Sequence, residues 1–463
     1  MWNFIKIHVQ IFVRCEMKSF HRKGYAQLVE WKNSSPRSKA VIVLGARRIG
    51  KSFLVEEFAK TEYKSYILID FSSVDDSVFS LFAQYGNKMR INEFFNQLSV
   101  IFSTPLYEHE SLIIFDEVQK YPKAREFIKH LVADNRYDYI ETGSLISIKK
   151  NVKDILLPSE EEKMYLHPLD FEEFLWVFGD EVTVPFLREH FESKKPLGNL
   201  LKTINEKLRL YMIIGGMPQS VAAYIETKKY DAAEAAKRAI LDLYRDDIAK
   251  YADTYVAEAR AIFDAIPVML SHHDKKIKYS ALGQGDRFSV SYSNALHWIS
   301  ESMVGSLCYG VEEPVLFEGF SIEPSKAKCY MGDTGLLLTL AAGKNYLTSE
   351  IYKSFVLGKL SVNKGMMTEN LIAQMLATNN HPLRFYETIT DSKKKYEVDF
   401  LLRKNGKTLP LEVKSGNAVA HPSLDFVSKN FKPDMEKPIV LTKGDLRETS
   451  EYLFLPLSMG MFL

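Results

Sequence analysis

Eight consecutive residues, Gly45-Ala46-Arg47-Arg48-Ile49-Gly50-Lys51-Ser52, carry the clearest chemistry in the sequence. They fit the spacing glycine, four residues, then Gly-Lys-Ser/Thr at every fixed position. The glycines let the backbone wrap tightly enough to aim its N–H groups at phosphate oxygens. A helix starting at the lysine adds free N–H groups and the positive end of its dipole. Lys51 would place a point charge on the β- and γ-phosphates, and Ser52 would offer a hydroxyl to Mg2+. All eight positions are therefore expected to cradle a nucleotide.

A second pattern supports the first. Leu112-Ile113-Ile114-Phe115-Asp116-Glu117 is an apolar run ending in two acids. Asp116 is expected to hold Mg2+ opposite Ser52, directly or through water, and Glu117 to polarise an attacking water as general base. A third run, 137–142, leads into Thr142-Gly143-Ser144. Thr142 and Ser144 are candidates for touching the γ-phosphate or the water; helix capping or turn formation explains them equally well.

Strands must position these groups. AVIVL (40–44), YILIDF (66–71), SLIIFDE (111–117) and YDYIET (137–142) are short and nearly continuous in apolar character. Strands buried on both faces look like this. Helical stretches at 51–60, 91–102 and 123–134 lie between them, so the alternation predicts a parallel sheet with helices on both faces. Residues 151–254 lose the strand signal and read as helical. From 255 to about 325 the sequence predicts a helix, a short helix at 279–283, a turn near Gly283 to Gly285, a helix from about Ser291 to Met303, and a strand pair. That order is a winged helix-turn-helix. Lys275, Lys276, Lys278 and Arg287 could supply phosphate contacts to DNA. The outward set Ser291, Asn294, His297 and Glu301 holds no lysine or arginine, so a structural or protein-contact role weighs more.

In the last third, Glu369 lies in a helical stretch, Asp399 in YEVDFLL, and Glu412 and Lys414 in LPLEVKS. Residues 412 and 414 project from one face of a strand, and a hairpin around Asn405-Gly406 would bring Asp399 beside Glu412. Carboxylates converging beside a lysine suit a Mg2+-dependent phosphodiesterase. A buried ion network without turnover is the alternative.

Composition bounds the rest. Lys plus Arg is 60 and Asp plus Glu 59, a net charge of +1, so whole-chain charge gives no support for bulk polyanion binding. The hydrophobic share of 46% and charged share of 26% are those of a globular protein. Cys15, Cys308 and Cys329 are scattered and form no CxxC pair, which reads as a reducing compartment with no disulfide framework or zinc site. No apolar run reaches the ~18 residues of a membrane span, and a cytoplasmic location is expected. The first 16 residues make a poor signal peptide. Met17 stands as an alternative start, which would make 1–16 a non-native extension.

GARRIGKS, LIIFDEVQK and IETGS, in that order, resemble the AAA-type P-loop ATPases. HPLDFEEFL (167–175), YMIIGGMPQSV (211–221), LYRDDIAKY (243–251) and KCYMGDTGLL (328–337) extend the likeness to bacterial and archaeal members that carry a C-terminal domain of unknown function. Ala46 stands where that group usually has proline. The resemblance implies ATP and Mg2+ as ligand and cofactor, and hydrolysis of the one with the other. It also makes Arg245 a candidate arginine finger, with a salt bridge to a nearby acid as the alternative. Glu369, Asp399, Glu412 and Lys414 resemble, in turn, the helix acid, strand acid and ExK of the PD-(D/E)xK nucleases.

The expected fold is α/β. A P-loop core with a parallel sheet (17–180) is followed by a helical connector (181–254), a winged-helix-like module (255–325) and a restriction-endonuclease-like α/β domain (326–463). The expected function is an ATPase coupled to a nuclease-like, DNA-acting domain. The alternative is a nucleotide-gated switch or scaffold with an inactive C-terminal domain, binding DNA, a protein partner or further copies of itself.

Overall fold

The computed structural model describes residues 20–34, 38–85, 90–144, 159–272, 274–277, 290–315, 319–343, 350–352, 364–416 and 420–463. The expectations for 1–16, Met17, Lys278, Arg287, the helix at 279–283 and the turn at Gly283 to Gly285 lie outside these residues.

The four apolar runs form β1 (Ala40–Leu44), β2 (Ser65–Asp70), β3 (Ser111–Asp116) and β4 (Asp138–Gly143). With β5 (Glu161–Tyr165) they make a parallel sheet in the order β2-β3-β4-β1-β5. Val41 and Val43 enter one core, while Ala40, Ile42 and Leu44 enter the other. Leu112 and Ile114 likewise part from Ile113 and Phe115. Both faces are covered, so no polar alternation survives in the sequence. Helices Lys51–Glu62, Ile91–Ile101 and Lys123–Asp134 match the predicted stretches closely, and Asp76–Tyr85 adds another.

The strand β5 corrects the helical reading of 151–254. Its sequence, EEKMY, buries only Met164, because it is an edge strand bonded on one side to β1. An edge strand needs no apolar run, so none announced it.

Helices Phe171–Val177, Thr183–Ser193, Leu201–Ile214, Pro218–Thr227, Tyr230–Tyr251 and Val256–Ser271 follow. Helix Val290–Glu301 leads into β6 (Gly305–Val311) and β7 (Ile322–Met331), which pair antiparallel. They are not a free wing. β6 also pairs with β8 (Arg384–Ile389), and β9 (Lys395–Val398) completes a sheet ordered β7-β6-β8-β9. The boundary expected at 325/326 therefore falls inside a strand of a sheet shared by both segments.

A last sheet holds β10 (Phe400–Lys404), β11 (Lys407–Val413), β12 (Ile439–Thr442), β13 (Arg447–Glu448) and β14 (Leu453–Pro456), in the order β10-β11-β12-β14-β13. Asn405 and Gly406 turn the β10–β11 hairpin with φ of 51° and 77°, as a two-residue turn of this type requires. The single strand expected over 396–403 is instead two, in different sheets, with Asp399 at the break. One apolar core runs from a face of the first sheet (Val43, Ile114) through the helices (Leu208, Phe263, Leu296) to the C-terminal strands (Leu411, Leu455). No helix among the described residues is long and apolar enough to cross a membrane.

Candidate functional site

The C-terminal ends of β1, β3 and β4 bring the sequence-predicted residues together. Between β1 and helix Lys51–Glu62 the chain winds tightly. Gly50 has φ of 89° at the helix start, and a Cβ on Gly45 would lie 2.4 Å from the Leu166 carbonyl oxygen. Both glycines are thus required by geometry. Ile49 is buried and anchors the loop, whereas Arg47 and Arg48 are exposed. Lys51 curls back, and its ammonium donates to the carbonyls of Gly45 (3.1 Å) and Ala46 (3.0 Å). Burial lowers its pKa to about 8, against the opposing pull of Glu117 and Asp116.

The Ser52 hydroxyl donates to Asp116 Oδ1 at 2.8 Å, and Thr142 donates to the same oxygen. Hydroxyl and carboxylate thus converge beside the loop. Mg2+ typically takes one or two carboxylate ligands plus phosphate and water, so this donor set fits it. Glu117 follows in the left-handed region (φ 54°), with its N–H on Thr142 Oγ1 at 3.4 Å. Its carboxylate accepts from the Gln119 amide. Ser144 lies at the tip of β4, lining a small recess with Arg47, Tyr244 and Asp247.

Sequence reading missed three groups here. Gln119 sits within the quoted LIIFDEVQK, but nothing in its type announced a bond to Glu117. Arg22 donates to the carbonyls of Ile49 (3.0 Å) and His167 (2.7 Å), and pairs with Glu173 at 3.1 Å. Asp247, from helix Tyr230–Tyr251, pairs with Arg47 at 2.6 Å, while the Tyr244 hydroxyl donates to the Arg47 carbonyl. These partners are distant in sequence, so no local pattern could show them. Beside Gly50 lies a cavity of about 380 Å³, bounded by Phe20, His21, Tyr25, Phe53 and Pro218. Arg245 pairs with Asp264 (3.0 Å) and Asp242 (2.9 Å). That is the salt-bridge alternative, with acids other than its immediate neighbours.

Residues 37–175 match the family model of an AAA domain. This stretch is similar to an AAA domain. Residues 205–346 and 364–459 match two domains of unknown function, DUF8612 and DUF4143. Solved structures similar to the chain include a Walker-type ATPase of Pyrococcus abyssi, at 15% identity and TM-score 0.40 over 70% of this chain and 96% of that one. A signal-transduction ATPase with a tetratricopeptide repeat sensor from Pyrococcus horikoshii matches at 13% and 0.28, over 78% and 50%. Cdc6p of Pyrobaculum aerophilum matches at 11% and 0.24, over 76% and 97%. No curated protein matches the chain.

The C-terminal constellation lies far along the chain from the AAA domain and is differently made. Glu369 is buried and faces Lys275, Lys328 (3.4 Å) and the Tyr330 hydroxyl (2.6 Å). Burial pushes its carboxyl up, but the ammonium groups of Lys328 and Lys275 outweigh it and hold the pKa below the usual value. Asp399 accepts the Val413 N–H at 2.8 Å, and burial beside Glu369 raises its pKa to about 7. Glu412 turns instead to Lys414 and to His421 Nδ1 at 2.8 Å. Among the described residues, no three His, Cys, Asp or Glu side chains form a group able to hold a metal ion. Glu369, Asp399 and Glu412 are instead each engaged by groups of the protein itself, two lysines, a backbone N–H and a histidine. Lys275 and Lys276 pair with Glu369 and Glu387, so internal acids take the charge expected to meet DNA phosphates.

Proposed function

We propose that the AAA domain binds ATP with Mg2+ and hydrolyses it by in-line attack of water on the γ-phosphate. The observation that carries this reading is the meeting of Lys51, Ser52, Asp116, Glu117 and Thr142 at the ends of three adjacent strands. The loop N–H groups of Gly45 through Ser52 wrap the phosphates. Lys51 leaves the carbonyls of Gly45 and Ala46 for the β- and γ-phosphates. Ser52 and Asp116 hold Mg2+, which when bound neutralises charge on the phosphates. Glu117, released from Gln119, orients the water, and Thr142, which bonds Asp116 and the Glu117 N–H, and Ser144 beyond it would meet the γ-phosphate or that water. The cavity beside Gly50, walled by aromatic rings and Pro218, is of a size and character to take the base.

For the C-terminal part, the geometry favours a scaffold over a nuclease. Glu369 is already neutralised by two lysines, and Glu412 faces away toward His421. We read the protein as a nucleotide-gated ATPase whose remaining segments respond to the bound nucleotide and present a surface to a partner. Arg47–Asp247 supports that link, since it joins the phosphate loop to helix Tyr230–Tyr251. The test is equilibrium binding of a fluorescent ATP analogue with Mg2+. Wild type should bind, and Lys51→Ala should lose binding by at least about tenfold. Equal binding by both would sink the phosphate reading.

A further inference from the structure

A second cavity, of about 410 Å³, opens where the three matched stretches meet. His167 comes from the AAA domain, Ser300 and Ser306 from the middle segment, and Thr378, His381 and Arg384 from the last. Among the described residues, no aspartate or glutamate lines it.

The decisive group is Arg384. Three other arginines that join stretches distant in sequence meet carboxylates: Arg22 meets Glu173, Arg47 meets Asp247 and Arg125 meets Glu161. Arg384 is half-buried and pairs with no acid among the described residues. One N–H donates to the Leu383 carbonyl at 2.7 Å, and the guanidinium lies 5.8 Å from the Tyr309 ring centre. A half-buried guanidinium with most of its donors facing a cavity that no described acid lines is placed to make charge-assisted hydrogen bonds to an anion there. The hydroxyls of Ser300 and Ser306 and the His167 ring add neutral hydrogen-bonding groups. The volume suits a small metabolite, and junctions between segments are favoured places for one.

We propose that this cavity is a binding site for a small organic anion, a phosphomonoester or a polycarboxylate, with Arg384 meeting its charge. The site also touches the nucleotide machinery, because the backbone of His167 is held by Arg22, which holds Ile49 in the phosphate loop.

Calorimetric titration of the full chain with ribose 5-phosphate and with citrate tests this, run on wild type and on Lys51→Ala. The second protein removes the phosphate loop as a competing site, so failure of the ATP reading leaves the test intact. One probe should bind with 1:1 stoichiometry to both proteins, and which one binds names the chemistry. Arg384→Gln should weaken it about tenfold. His297→Glu, at an exposed position on the rim, should weaken it several-fold without burdening the fold. If Arg384→Gln fails to fold, the His297→Glu result decides. Absence of binding by both probes overturns the proposal, as does affinity unchanged by these substitutions.

Discussion

Lys51 shows how burial sets the chemistry of one residue. Its ammonium is held by two carbonyls in a site that costs it hydration, and its pKa falls to about 8. Only the charged form meets phosphate well. ATP affinity should therefore be full below about pH 8 and fall as pH rises through it, with a proton taken up on binding above that point. Titrations in buffers of different ionisation heat would read the uptake. A flat affinity and no uptake across this range would show that Lys51 is not the phosphate ligand. Glu117 is equally particular, with its left-handed backbone and its carboxylate bound to Gln119.

At the scale of elements, the AAA domain was legible because its chemistry and its strands announce each other. The apolar run 40–44 leads into the glycine loop that ends at Lys51, and the runs 111–116 and 138–143 end at Asp116 and Thr142-Gly143, so the motifs and the strands mark each other. β5 was hidden because an edge strand carries no apolar run, and the break at Asp399 because one continuous pattern spans two sheets. The pairs Lys275–Glu369 and Arg245–Asp264 join different elements, so local spacing could not reveal them, whereas Arg245–Asp242 lies within one helical turn. The glycines of YMIIGGMPQSV explain a stretch that the sequence left as a resemblance. A Cβ on Gly216 would lie 2.0 Å from the Leu169 carbonyl oxygen, and the Gly216 carbonyl accepts the Leu169 N–H at 2.7 Å. The Asp333 carboxylate accepts the Gly216 N–H at 2.6 Å, which ties this turn to helix Thr334–Ala342. Gly216→Ala should destabilise the protein by about 2 kcal/mol, since backbone must move to admit the methyl. Urea unfolding measures this, and an unchanged midpoint would contradict the close approach.

At the scale of the whole molecule, buried charge knits the later segments together. Lys275 and Lys328 reach Glu369 from outside its helix, and Lys328 also meets Glu397 at 2.7 Å. Glu369→Gln would leave Lys328, fully buried, with one acid fewer. It should destabilise the protein by about 3 kcal/mol, with wild type showing no Mg2+-dependent DNA cleavage for the substitution to remove. Cleavage lost in Glu369→Gln and Glu412→Ala, with stability intact, would restore the nuclease reading.

On the proposed reading, the AAA domain hydrolyses ATP with Glu117 as its base. Steady-state phosphate release by wild type and Glu117→Gln, with ATP binding measured in parallel, tests it most directly. Wild type should release phosphate, and Glu117→Gln should lose at least about a hundredfold of that rate with binding kept. Equal release by the two proteins would contradict it.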